Sequence, residues 1–592
     1  MELINNLPFN EVIAEVNKFS KVKSENPSIR IAVLRNITAD NYLVYLKYLL
    51  YTEGFQPVIF TGDYDSIIQE SLNEKSALYQ FEPDIIIILN YGENLVPDLY
   101  SKFTDYVNQK GDDLKDNILN YYKSILSGIR KFSDAKIIVN NLGRNMIPVL
   151  GIYESQNHNG QNQVINTINF ELITLAKEEK NVFVLDIERI ANYYGFEKFY
   201  DQKQWYIAKN PYSLTGHKAI AWETKKIVNA INGKIKKCLV LDCDNTLWGG
   251  IVGEVGVENI QISNTYPGNI YLAFQQQILN LYSRGIILAI NSKNNFEDVK
   301  EVLDKHPSML LKEKHFASIY ANWDNKADNL KAIAHDLNIG LDSMVFVDDS
   351  DFECSFVKEM LPQVSVICLP KDRTQFSSIF SSSGYFDSLS FSSEDLKRGQ
   401  LYRSEIDRKK EMVKFTDLNS FYRSLEMELE IFPADNFSIP RVAQLSQRTN
   451  QFNLTTKRYS EDEIKNMVNS DDFSVLCLKL ADKFGDLGIV GVCIIDFSKN
   501  YALIDTFFMS CRIINRGIET IFLQTALNKA FDKGLKTVKA TFSRTKKNQL
   551  VESFYENQGF STIKKTDEKI EYSYSIDKNV KMNGEIFKTI KI

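Results

Sequence analysis

Asp242 and Asp244 stand two residues apart in Lys237-Cys-Leu-Val-Leu-Asp-Cys-Asp-Asn-Thr-Leu-Trp248, where an apolar run stops at a carboxylate. A strand that ends there and breaks into a turn directs both side chains to one cleft. Close carboxylates repel unless a cation lies between them, and hard oxygen ligands of this kind select magnesium. Further along come Ser292 in Ile290-Asn-Ser-Lys-Asn294, then Lys326 opening a helical pattern, then Val345-Phe-Val-Asp348-Asp349. Asp349 reads either as an outer metal ligand or as a helix cap.

These four pieces, in this order, resemble the HAD superfamily, whose members share a D-x-D-x-T strand end, a Ser or Thr, a Lys and a second acidic pair. The resemblance implies that Asp242 attacks phosphorus, while Asp244 protonates the leaving oxygen and later activates water. It further implies that Ser292 and Lys326 bind the phosphoryl oxygens, and that Asp242, Asp244, Asp348 and Asp349 surround the magnesium. Phosphoryl transfer spreads negative charge over equatorial oxygens, so a cation and a lysine stabilise the transition state. A carboxylate nucleophile divides the reaction into two steps. The intervals from Asp242 to Ser292 and on to Lys326 leave no room for a lid domain, so the core reads as capless and open to a bulky partner.

Elements that position these residues follow from periodicity. Short apolar runs alternate with helical patterns at Ile31 to Leu34, Val58 to Phe60, Ile85 to Leu89, Ile137 to Val139 and Val182 to Asp186. A second series runs through Cys238 to Asp242, Ile286 to Asn291, Phe316 to Tyr320, Met344 to Asp348 and Val364 to Cys368. Both series predict parallel α/β sheets. Past a polar connector, the runs Phe473 to Leu480, Ile489 to Asp496 and Ala502 to Met509 suit antiparallel neighbours in an α+β domain.

The 592 residues predict about three or four folded units. With 44% hydrophobic and 25% charged residues the chain is of ordinary globular composition. A net charge of −6 supplies no general field for nucleic acid. No aliphatic run approaches the ~20 residues that span a bilayer, and Met1 to Ser20 lacks the pattern of a secretory signal. Seven cysteines, none in C-x-x-C, read as reduced thiols. A cytoplasmic location is expected.

Asn245-Thr-Leu-Trp-Gly-Gly250, the following Val-Gly-Glu, Ser-Lys-Asn-Asn and Val-Asp-Asp resemble the FkbH-like family of HAD subfamily IIIC phosphatases. So do Gln444-Leu-Ser-Gln-Arg-Thr-Asn-Gln-Phe-Asn-Leu-Thr-Thr-Lys-Arg458 and Asp482-Lys-Phe-Gly-Asp-Leu-Gly488. The resemblance implies that Thr246, Trp248, Gly249 and Asn294 contact substrate. It also implies dephosphorylation of a glycerate-type acid and delivery of the acyl unit to the phosphopantetheine thiol of an acyl carrier protein. Several family members carry Cys where this chain has Asn291. The run from Gln447 to Asn453 reads as a substrate loop, through Arg448 and Asn450, or as a solvated turn; the resemblance favours the loop.

Cys511-Arg-Ile-Ile-Asn-Arg-Gly-Ile-Glu519 resembles the pyrophosphate loop of GNAT acyltransferases, with Asn515 in place of the first glycine. That resemblance implies that Arg512, Arg516 and Gly517 meet a coenzyme A or carrier arm at a helix N-terminus. Residues 1–236 resemble an SGNH- or flavodoxin-type α/β unit. Gly92-Glu-Asn94 stands where an oxyanion segment would, but no serine follows the first strand and Leu214 precedes His217 where an Asp is needed. This unit therefore reads as binding rather than hydrolytic, with a structural His217.

The expected organisation is a degenerate SGNH-like domain (1–236), a HAD core (237–380), a helical connector (381–418) and a GNAT-like domain (419–592). A phosphatase fused to a coenzyme A-dependent acyltransferase of surface-saccharide synthesis is the alternative, and a non-catalytic assembly protein is a third class that the intact motif set disfavours.

Overall fold

The computed structural model describes all residues except 1–6, 22–26, 106–110, 390, 392–400, 402–403, 405–407, 409–410, 413, 416, 511–512, 515, 546 and 577–583. Half of the expected connector, 381–418, lies outside the described residues. The chain forms two compact units, Met1–Asn229 and Ala230–Ile592. Among the described residues no helix is long and apolar enough to cross a membrane.

In the first unit β1 (Ser28–Arg35), β2 (Gln56–Tyr64), β3 (Ile85–Leu89), β4 (Lys136–Asn140) and β5 (Val182–Leu185) form a parallel sheet of order β2-β1-β3-β4-β5. Parallel strands are covered by helices on both faces, which is why Ile85-Ile-Ile-Ile-Leu89 is apolar at every position and wholly buried. Asn36, after β1, accepts a hydrogen bond from Tyr91 N at 2.8 Å, and Asn94 Nδ2 donates to Asn36 O at 2.7 Å, so neither side chain is poised for hydrolysis. His217 Nε2 lies 2.7 Å from Asn210 Oδ1, and burial draws its pKa down to about 4.

The second unit holds two sheets. β6 (Cys238–Leu241), β7 (Ile287–Ser292), β8 (Phe316–Ala321), β9 (Met344–Asp348) and β10 (Ser365–Cys368) are parallel in the order β10-β9-β6-β7-β8. Between β6 and β7 the chain makes the short helix Val252–Val255 and the helix Gly268–Ser283. Val252, Tyr271, Phe274 and Ile278 pack into the same core as Leu239 and Leu241, so this interval forms no separate cap.

The other sheet is mixed. It comprises β11 (Met427–Pro433), β12 (Phe473–Asp482), β13 (Gly485–Asp496), β14 (Ala502–Met509), β15 (Thr537–Ser543), β16 (Ser561–Lys565), β17 (Lys569–Ser575) and β18 (Phe587–Lys591). Their order is β16-β17-β15-β14-β13-β12-β11-β18. β14 and β15 are parallel neighbours paired only from Ala502–Ile504 to Val538–Ala540, beyond which they part. This is the α+β arrangement, with antiparallel neighbours β12, β13 and β14, expected from the sequence.

Candidate active site

β6 and β9 are adjacent, and their carboxyl ends bring Asp242 and Asp348 together. Asn325 caps the helix Lys326–Asp336 by accepting from Asp328 N at 2.8 Å, which sets Lys326 at the first helical position. Lys326 Nζ donates to Asp242 Oδ1 at 2.8 Å and to Asp348 Oδ2 at 2.5 Å. Burial alone would pull the Lys326 pKa down. The charges of Asp242 and Asp348 override that and hold it above its ordinary value.

Asp242, Asp348 and Asp349 each place a carboxylate oxygen within 4.8 Å of the others. Desolvation, then the charge of Asp242, raises Asp348 to about 7 and Asp349 to about 6. Three carboxylates against one ammonium leave two negative charges in a buried cleft, which is the deficit a divalent cation fills.

The Asp244 side chain stands outside that group, a correction to its expected place on the metal. Its Oδ1 accepts from Trp248 Nε1 at 2.7 Å and Val252 N at 3.1 Å, and its Oδ2 accepts from Asn294 Nδ2 at 2.9 Å. Burial nevertheless raises its pKa. Asn294 Nδ2 also donates to Ser292 Oγ at 3.1 Å, tying the hydroxyl to the acid. Trp248 and Thr246 are wholly buried, so the expectation that they contact substrate is corrected: Trp248 holds Asp244, and Thr246 Oγ1 lies in the core with no hydrogen-bond partner among the described residues. Gly249 is a packing position, since a Cβ there would come within 2.7 Å of Gln261 Oε1.

The family model described as FkbH, N-terminal domain, matches residues 30–230. The crystal structure of the N-terminal part of BF1531 from Bacteroides fragilis, containing a phosphatase domain complexed with Mg, is 30% identical. The match covers 65% of this chain and 100% of that one, with a TM-score of 0.60. The chain belongs to the FkbH-like HAD phosphatase family. The ribosomal-protein-S18-alanine N-acetyltransferase of Escherichia coli matches at 13% identity over 26% of this chain and 99% of its own, with a TM-score of 0.21. No curated protein matches.

In this FkbH-like chain, Asn291 is fully buried, donates to Lys326 O at 2.9 Å and accepts from Asn329 Nδ2 at 3.1 Å. It braces the lysine-bearing helix. Cys243, between the two aspartates, is also fully buried, and desolvation pushes its thiol far up, so it supplies no nucleophile. Arg373, which no motif flagged, follows β10; its guanidinium donates to Asn245 Oδ1 at 3.4 Å, and its charge draws the Asp349 pKa down against the larger upward push of burial. Only the tertiary arrangement of five strand ends reveals it.

The third sheet positions the remaining candidates. Asn450 accepts from Arg458, which also donates to Thr449 O at 2.8 Å, while Arg448 is half-buried at the end of the helix Ile439–Arg448. The loop that follows enters the gap between β14 and β15. Leu454 N donates to Phe507 O at 3.1 Å, Met509 N to Phe452 O at 2.9 Å, and Ser543 N to Leu454 O at 2.8 Å. Asn548 Nδ2 donates to Asn453 O at 3.0 Å, and Phe452, Asn453 and Leu454 are buried. The edges of β14 and β15 where they part are thus hydrogen-bonded to the chain itself. Arg516 points inward to Asp482, 3.7 Å away, and Gly517 adopts φ 72° at the start of the helix Ile518–Asp532; Arg512 and Asn515 lie outside the described residues.

Proposed function

We propose that the chain is a magnesium-dependent phosphomonoesterase that works through an aspartyl phosphate on Asp242 and acts on a phosphorylated small acid. The observation that carries this reading is the Lys326 ammonium bridging Asp242 and Asp348. Magnesium, held by Asp242, Asp348 and Asp349, supplies charge neutralisation at the phosphoryl oxygens. Asp242 forms the bond to phosphorus as the leaving oxygen departs with a proton from Asp244, whose raised pKa suits it to be protonated for that step. Asp244 then takes a proton from water as water attacks the phosphorus of the aspartyl phosphate. Lys326 and Ser292 hold the phosphoryl oxygens, and Asn294 and Trp248 fix Asp244 throughout. The magnesium in the BF1531 crystal structure supports the choice of metal.

The capless cleft supports delivery of the acyl product to a carrier protein, whose arm reaches the cleft around Asp242 rather than the filled gap between β14 and β15. The test is turnover of a generic phosphomonoester and of phosphorylated glycerates with and without magnesium, followed by mass analysis of a holo carrier protein. Turnover in chelator would overturn the phosphatase reading; turnover without carrier loading would overturn delivery alone.

A further inference from the structure

At the carboxyl ends of β3 and β4 the first unit contains a pocket of about 230 Å³ that the phosphatase reading does not use. Ligands of parallel α/β sheets bind outside the carboxyl ends of the strands. Its polar groups are nearly all committed to one another. Asn140 exchanges hydrogen bonds with the Asn90 backbone at 2.7 and 2.8 Å. Glu93 accepts from Trp205 Nε1 at 3.2 Å and from Tyr91 OH at 3.3 Å. Three groups are left over. Asn90 is 1% exposed, and its Nδ2 has no partner, although its Oδ1 accepts from Tyr121 OH at 3.1 Å. Tyr200, which is half-buried, and Tyr212, which is 4% exposed, line the same pocket, with no hydrogen bond from either hydroxyl among the described residues. A buried donor left unmade is costly, so the Asn90 amide, in a pocket that two further phenols line, points to a ligand that completes it.

We propose that this pocket binds one uncharged sugar ring. The wall is aromatic: Tyr91 and Trp205 pack edge to face with centroids 4.8 Å apart, and Tyr200 and Tyr212 lie 5.7 Å apart. Such rings cover the C–H face of a pyranose, while the amide and the two phenols reach its hydroxyls. Charge argues against an anion. Arg144 is paired with Glu188 at 2.5 Å, and the carboxylates of Glu93 and Asp201 also line the wall. The volume holds a single ring, not an oligosaccharide.

The test titrates the full chain, by saturation-transfer NMR and calorimetry, with methyl glucoside, methyl galactoside, methyl mannoside and N-acetylglucosamine, and in parallel with pantetheine and inorganic phosphate. Saturable binding of at least one sugar is expected, weakened roughly fivefold by Tyr212→Phe or Tyr200→Phe and further by the pair. Because these substitutions remove only unpartnered hydroxyls, thermal stability without ligand and phosphatase turnover should be unchanged. Sugar binding that survives the double substitution at full strength, binding of pantetheine or phosphate alone, or no binding of any probe at millimolar concentration would each overturn the proposal.

Discussion

Lys326 Nζ lies 2.5 Å from Asp348 Oδ2, and both side chains are buried, with exposures of 5% and 1%. A buried ammonium in that position leaves the cleft short of two positive charges rather than three. It also places a fixed cation beside Asp242, the carboxylate proposed to attack phosphorus.

Lys326→Ala should therefore cost on the order of 10²-fold in the chemical step, as for other lost electrostatic stabilisers. Single-turnover rates within twofold of the parent would assign Lys326 to structure alone.

Asn294→Ala and Trp248→Phe each remove a donor that favours the ionised form of Asp244. Losing such a donor raises the carboxyl pKa, so the alkaline limb of the kcat profile should move to higher pH. About a tenfold loss in kcat with little change in KM is expected, because an acid that is less well aimed acts only in the transition state. A change confined to KM would show that these residues contact substrate instead.

Arg373→Ala should lower kcat/KM roughly tenfold for a phosphorylated acid and less for a simple phosphomonoester, since a second anionic group would lose its cationic partner at the rim. Equal losses on the two substrates would restrict Arg373 to tuning Asp349.

Folding stability should fall with acidification through His217. An unfolded chain protonates this residue near 6.5, whereas the folded chain resists down to about 4. Between those values the unfolded state binds more protons, so stability present above 6.5 is lost as pH falls, by up to about 3 kcal/mol. Melting curves of His217→Gln should show a shallower decline over this window than the parent, and parallel curves would contradict the assignment.

The parallel sheets were legible because strands covered on both faces must be apolar along their length, as at Ile85–Leu89 and at 344–347. The four phosphoryl-transfer motifs were legible because each sits at a strand end or helix start. β16 was not, being exposed at every position, nor were β17 and β18, of which the first buries only Ile570 and Tyr572 and the second buries no residue fully. The roles of Trp248 and Asn294 were misread because a motif gives spacing and not direction: their donors turn to Asp244. The polar run through Asn453 offered two readings, a substrate loop or a solvated turn. Its last residues, Phe452 and Asn453, are instead buried against β14, because the parting of β14 and β15 leaves backbone groups that must be paired.

The central claim is that Asp242 carries the phosphoryl group. Enzyme quenched during turnover and reduced with borohydride converts an aspartyl phosphate to homoserine, which peptide mapping locates. Homoserine is expected at position 242 only when substrate and magnesium are both present, and none in Asp242→Asn. Full turnover with an unmodified Asp242, or modification at another carboxylate, would contradict it.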